Sequence, residues 1–170
     1  LYFAGIYRST YPENEFLNLT QAIESYHRRI YGGEYIPENI YLNGLYKILT
    51  DAIPHDISDD FRSSLQKGKL RYAHEYSLRK RIFLLSQHIS ENLPVTFLNG
   101  GKAQSDYAER IANTRNYLTH YSPELKEKAI IGGKELFEVN NQLGMIINFC
   151  FLEQLGIPYN KIEALLYKDR

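Results

Sequence analysis

The stretch whose spacing sets the fold is FLNLTQAIESYHRRIYGG, residues 16–33. Phe16, Leu19, Ile23, Tyr26, His27 and Ile30 recur three or four residues apart. That period lines them along one face of an α-helix; a strand would need alternation. Asn14 is a candidate N-cap, and Gly32-Gly33 ends the run.

The same period continues down the chain. Pro37 opens a second helix, with Tyr41, Leu45, Ile48, Leu49 and Ala52 on one face, and Pro54 closes it. Ser58 and Asp59 are cap candidates for a third, carrying Phe61 and Leu65, with Gly68 as its breaker. A longer helix is predicted over 76–93, on the stripe Leu78, Ile82, Leu85 and Ile89. Another is predicted over 103–121, with Tyr107, Ile111 and Leu118 inward. Pro123 holds Ser122 out of the helical region and so stops it near His120. A helix over 134–155 is apolar nearly all round from Met145 to Leu152. It is either central to the core or buried against a partner. A short amphipathic helix with Ile162, Leu165 and Leu166 finishes the chain. With no convincing strand, the expectation is an all-α antiparallel helical bundle of five to seven helices.

The 170 residues suit one domain, placed at 14–170. Residues 1–13 read as a lead-in from a longer protein, because the chain opens on Leu1-Tyr2-Phe3 without methionine. Twenty basic residues balance twenty acidic ones, so net charge points to no partner. Cys150 is the single cysteine, which excludes an internal disulfide and favours a reducing, cytoplasmic compartment. No apolar run is long enough to cross a bilayer, and zinc-finger spacings are absent. The 15 tyrosines are spread through the chain, which favours half-buried helix edges over base-stacking platforms.

The candidate chemistry sits in TRNYLTHY, residues 114–121. Ala108, Ala112, Asn116 and His120 share one helix face, four residues apart. Arg115 lies about 140° round an ideal helix from His120. A long arginine, a tightened last turn, or a second copy of the chain can each bring the two to one ligand. Imidazole changes charge near neutral pH, so it can take a proton from a ribose 2′-hydroxyl or give one to a leaving 5′-oxygen. A guanidinium can hold the phosphate and stabilise its extra negative charge, and Asn116 can orient the imidazole or touch phosphate. No metal or cofactor is required, because the nucleophile lies within the substrate. The structural alternative pairs Arg115 with a carboxylate and leaves His120 to cap its own helix end.

Arg115-Asn116-Tyr117-Leu118-Thr119-His120 resembles the Arg-polar-x3-His signature of the HEPN superfamily. More narrowly, the chain resembles the Apea-like HEPN domains of prokaryotic defence proteins. FLNLTQAIESYHRRIYG (16–32) resembles that family's first helix and IANTRNYLTHYSPE (111–124) its motif helix. The resemblance implies a helical bundle, a metal-independent ribonuclease and a homodimer whose motif helices face each other. It also implies Arg115, Asn116 and His120 as the catalytic set, one copy's histidine acting as base and the other's as acid. RNA is the implied partner, with further domains of a longer chain or an antitoxin-like protein as possible others. A non-catalytic nucleic-acid-binding or dimerisation module is the alternative.

Glu24 has two readings: it sets the Arg115 guanidinium in place, or it forms an i,i+4 surface pair with Arg28. His27, on the apolar face, reads as a core histidine. Between residues 62 and 81, Lys67, Lys69, Arg71, Arg79, Lys80 and Arg81 form a local basic excess. Either it tracks an RNA backbone or it is a solvated face.

Overall fold

The computed structural model describes residues 11–94 and 98–167. Most of the expected lead-in, residues 1–10, lies outside the described residues. Among the described residues there are eight α-helices and no strand beyond one isolated bridge, Glu34 to Glu75. The chain divides into two compact units: a larger one ending at Tyr31 and resuming at Leu78, and a smaller one, Gly32–Ser77.

Helix α1 spans Pro12–Tyr31 and starts earlier than Asn14 suggested. Proline is favoured at a first helical position because its missing N–H has no intrahelical role there. The Tyr11 carbonyl accepts from the Asn14 and Glu15 N–H groups, closing the first turn without an Asn14 cap. Phe16, Leu19, Ile23, Tyr26 and His27 are buried as the spacing required, whereas Ile30 at the frayed end is half-exposed.

The larger unit continues with α5 (Leu78–Asn92), α6 (Gly101–His120), a 3-10 segment (Pro123–Lys128), α7 (Gly133–Gln154) and α8 (Tyr159–Tyr167). Its core joins Phe16, Ile23, Ile82, Leu85, Ile111, Leu143, Ile147 and Phe149, all nearly free of solvent. Each such side chain contributes roughly 1.5–3 kcal/mol by leaving water. Helix α7 proves central to this core, since Met145, Ile146, Ile147, Phe149 and Cys150 are all buried. Arg110 on α6 pairs with Glu135, and Thr114 bonds Ile130, so α6 runs antiparallel to the chain that leads into α7. Helix α1 instead runs in the same sense as α7. Asn140 reaches the Pro12 carbonyl near one end, and Tyr26 reaches the Cys150 carbonyl further along both helices. Short loops force antiparallel neighbours; α1 and α7 are far apart in sequence and carry no such constraint.

In the smaller unit, α2 (Glu38–Asn43), α3 (Leu45–Asp51) and α4 (Asp59–Ser63) precede a π-helical segment, Ser64–Leu70. The single helix predicted from Pro37 to Pro54 is broken at Gly44, whose ψ of −98° is not helical. The break takes Leu45 and Ile48 off the face of Tyr41; both are exposed, while Tyr41 is buried and stacks on His74. Ser58 caps α4 as expected, accepting from the Phe61 N–H, but Gly68 does not end the helical run. Backbone bonds from Tyr35 to His74 and from Tyr76 to Gly33 bring this unit's two ends together.

Arg81 departs most from its sequence reading. It is 1% exposed in α5 and donates to His27 Nδ1 at 3.1 Å. A guanidinium only donates, so His27 accepts there and carries its proton on Nε2. His27 is thus a core histidine, as read. Arg81→Ala is expected to lose roughly 3 kcal/mol of stability in urea unfolding. Replacing the exposed Arg79 should change it by less than about 0.5 kcal/mol. Burial pushes the Cys150 thiol up to about 12. The folded protein should therefore resist iodoacetamide at mildly alkaline pH and be labelled once unfolded.

Candidate active site

Helix α6 emerges from the core along its own length. Ala108 is fully buried, Ala112 and Asn116 are half-buried, and His120 is exposed, all on the one line of residues. Thr114 is 0% exposed and anchors the helix on its core side. Its hydroxyl donates to the Arg110 carbonyl at 2.8 Å and accepts the Ile130 N–H at 2.9 Å. The second bond ties the chain back onto α6 after the helix has ended.

The next residue, Arg115, therefore sits at the edge of the core with a third of its side chain exposed. Its Nη1 donates to Asn116 Oδ1 at 3.0 Å, and its Nη2 lies 3.7 Å from Glu24 Oε2 on α1. Arg28 Nη2 approaches the other oxygen, Glu24 Oε1, at 3.4 Å. Glu24 thus meets Arg28 and Arg115 at once: one carboxylate lies between two guanidiniums, which leaves the cluster a net positive charge. Asn116 orients the guanidinium here, not an imidazole.

His120 is the last residue of α6, and its imidazole makes no hydrogen bond or ion pair among the described residues. The tightened last turn is not found. The Tyr121 N–H bonds the Tyr117 carbonyl four residues back, at 2.7 Å, so the helix stays α to its end. One chain brings Arg115, Asn116 and Glu24 together and leaves His120 apart at the same helix end.

The basic excess divides between the two units. Lys67, Lys69 and Arg71 belong to the smaller unit, where Arg71 pairs with Glu38 at 2.9 Å. Arg79 and Lys80 open α5 in the larger unit, and Lys80 lies 5.5 Å from the Phe83 ring. The expectation that Arg81 contacts RNA is corrected by its burial: its guanidinium is committed to His27 inside the unit. No cluster of His, Cys, Asp and Glu able to hold a metal occurs among the described residues. Nor is any helix there long and apolar enough to cross a membrane.

The Arg-Asn-x3-His sequence on the exposed end of a bundle helix is what a family comparison can test. The model for Apea-like HEPN matches residues 17–161. This chain belongs to the Apea-like HEPN family. The match takes in most of α1, with Glu24, and the whole of α6, so the candidate site residues of both helices lie inside the HEPN domain. No curated protein and no solved structure matches the chain.

Three features of this HEPN domain escaped the sequence reading. Thr114 looked like one more helical residue, because its partner Ile130 lies across a loop. His88 lacked any partner spacing, yet its Nε2 and the Tyr159 hydroxyl both lie 2.7 Å from Glu153 Oε1. The third is the backbone at Tyr121. The sequence signal of Pro123 gave the helix end but not its left-handed turn. Thr114→Val keeps the shape and strands the Ile130 N–H; it should cost about 1–3 kcal/mol, read by urea unfolding.

Proposed function

We propose that this HEPN domain is a metal-independent endoribonuclease acting at a site shared by two copies of the chain. The observation that carries the proposal is the intact Arg115-Asn116-His120 set at an exposed helix end in a member of this family. Arg115 holds the scissile phosphate after exchanging Glu24 for it. One His120 takes the proton of the ribose 2′-hydroxyl, whose oxygen attacks phosphorus. The bond to the 5′-oxygen breaks, and the His120 of the other copy protonates that oxygen. The products are a 2′,3′-cyclic phosphate and a 5′-hydroxyl. Pairing two copies supplies the second imidazole, and an exposed His120 whose side chain has no partner among the described residues is open to that use. A cytoplasmic role in anti-phage defence or as a toxin-like effector follows from the same reading. Lys67, Lys69 and Arg71, with Arg79 and Lys80, remain candidate contacts to the RNA backbone.

A second reading has one observation in its favour. Glu24 already faces Arg115, which suits a non-catalytic binding or dimerisation module whose arginine is paired from within. The two part on turnover. The ribonuclease should cut RNA in EDTA and spare DNA, which lacks the nucleophile. His120→Ala should slow cutting about 10²–10⁴-fold with the helical circular dichroism unchanged. A variant that cuts as fast as the parent would refute the mechanism; a parent that binds RNA without cutting it at any concentration supports the second reading.

A further inference from the structure

The geometry points to Tyr121 as a base-stacking residue of this site, one that selects single-stranded RNA by holding an unpaired base beside the scissile linkage. The inference rests on the ribonuclease reading and names its substrate class. Tyr121 follows His120 directly, so its backbone lies about 3.8 Å from that of the proposed acid–base residue. It is 70% exposed. Among the described residues it is also the one non-glycine residue with positive φ, at φ 51° and ψ 34°.

That conformation is uncommon for a bulky side chain. At a helix C-terminus the left-handed position usually goes to glycine, sometimes asparagine, because a Cβ is disfavoured there. A tyrosine can be kept at such a place when its ring is buried and the packing compensates. Here it is not buried, and its hydroxyl makes no hydrogen bond among the described residues. Its one ring-to-ring contact among the described residues is with Tyr117, met edge to face at 5.7 Å and 61°. That contact steadies the ring and leaves most of it open to solvent. The backbone of the turn needs only the bond from the Tyr121 N–H to the Tyr117 carbonyl, which any residue except proline supplies. Among the described residues, the fold uses the position and little of the ring. A strained backbone that presents an open aromatic face beside reactive groups is a recurrent feature of ligand sites.

The chemistry selects the ligand. Every nucleobase has a face that stacks on an aromatic ring, but in a duplex those faces are already occupied by neighbouring bases. An unpaired base can leave its stack and lie on Tyr121. Its ribose is then held next to the imidazole that takes the 2′-hydroxyl proton.

The test uses the full chain carrying His120→Ala, so that RNA is bound without being cut. Parent, Tyr121→Phe, Tyr121→Ala and Tyr121→Gly are titrated with a single-stranded oligoribonucleotide carrying one 2-aminopurine. Anisotropy gives affinity, and 2-aminopurine quenching reports stacking directly. Phe should bind within about twofold of the parent and quench alike. Ala and Gly should lose about 5- to 150-fold in affinity, the range for one stacked base, together with the quenching. A blunt-ended, fully paired duplex should bind all four about equally. Gly should also raise the melting temperature while it weakens binding, which a structural role for the ring would not produce. Parent-like affinity and quenching in both Ala and Gly overturn the inference and leave the ribonuclease reading standing. A parent that neither binds nor cuts RNA overturns both.

Discussion

The bond between the Thr114 hydroxyl and the Ile130 N–H sets where α6 can go. It ties the chain to the helix on both sides of the Tyr121 turn, so α6 cannot be extended without breaking it. Everything of chemical interest lies in the few residues between that anchor and the turn. Thr114 is fully buried and Arg115 partly so, while His120 and Tyr121 are exposed. Over these residues the chain passes from core to solvent. Polar groups there can be held by the fold and still meet a ligand.

The electrostatics at Glu24 suit such a boundary. Two guanidiniums share one carboxylate at 3.4 and 3.7 Å, and all three side chains keep some exposure. Half-exposed pairs of this kind contribute little to stability, of order 0–1 kcal/mol. Glu24 therefore orients Arg115 without locking it. A buried pair would behave differently. Arg81 with His27 shows the contrast within the same unit: it is sealed from solvent and structural in consequence.

A second polar group ties the far part of the bundle together. Glu153 near the end of α7 is shared by His88 of α5 and Tyr159 of α8, both at 2.7 Å, and that hydrogen bond pushes the Tyr159 hydroxyl above its ordinary range. It fixes the last helix against the bundle just after Gly156 turns the chain. The residues involved are widely separated in sequence and share no spacing, so no periodic pattern marks them.

Period and punctuation alone determined the helical class. Apolar residues three and four apart dictate a helix wherever one face is buried, as in α1, α5 and α7. Proline and glycine then mark the ends, because backbone restrictions act locally. The Arg-Asn-x3-His signature was legible for the same reason: it lies within two turns of one helix. Tertiary structure decided the rest. It set Glu24 between Arg28 and Arg115, buried Arg81 while leaving Arg79 exposed, and broke the helix expected over 37–54 at Gly44. It also gave Tyr121 its left-handed backbone. Each of these outcomes depends on which groups meet across the fold or on a local backbone choice that several residues permit. Spacing along a chain specifies a face of a helix, but it does not specify what that face will touch.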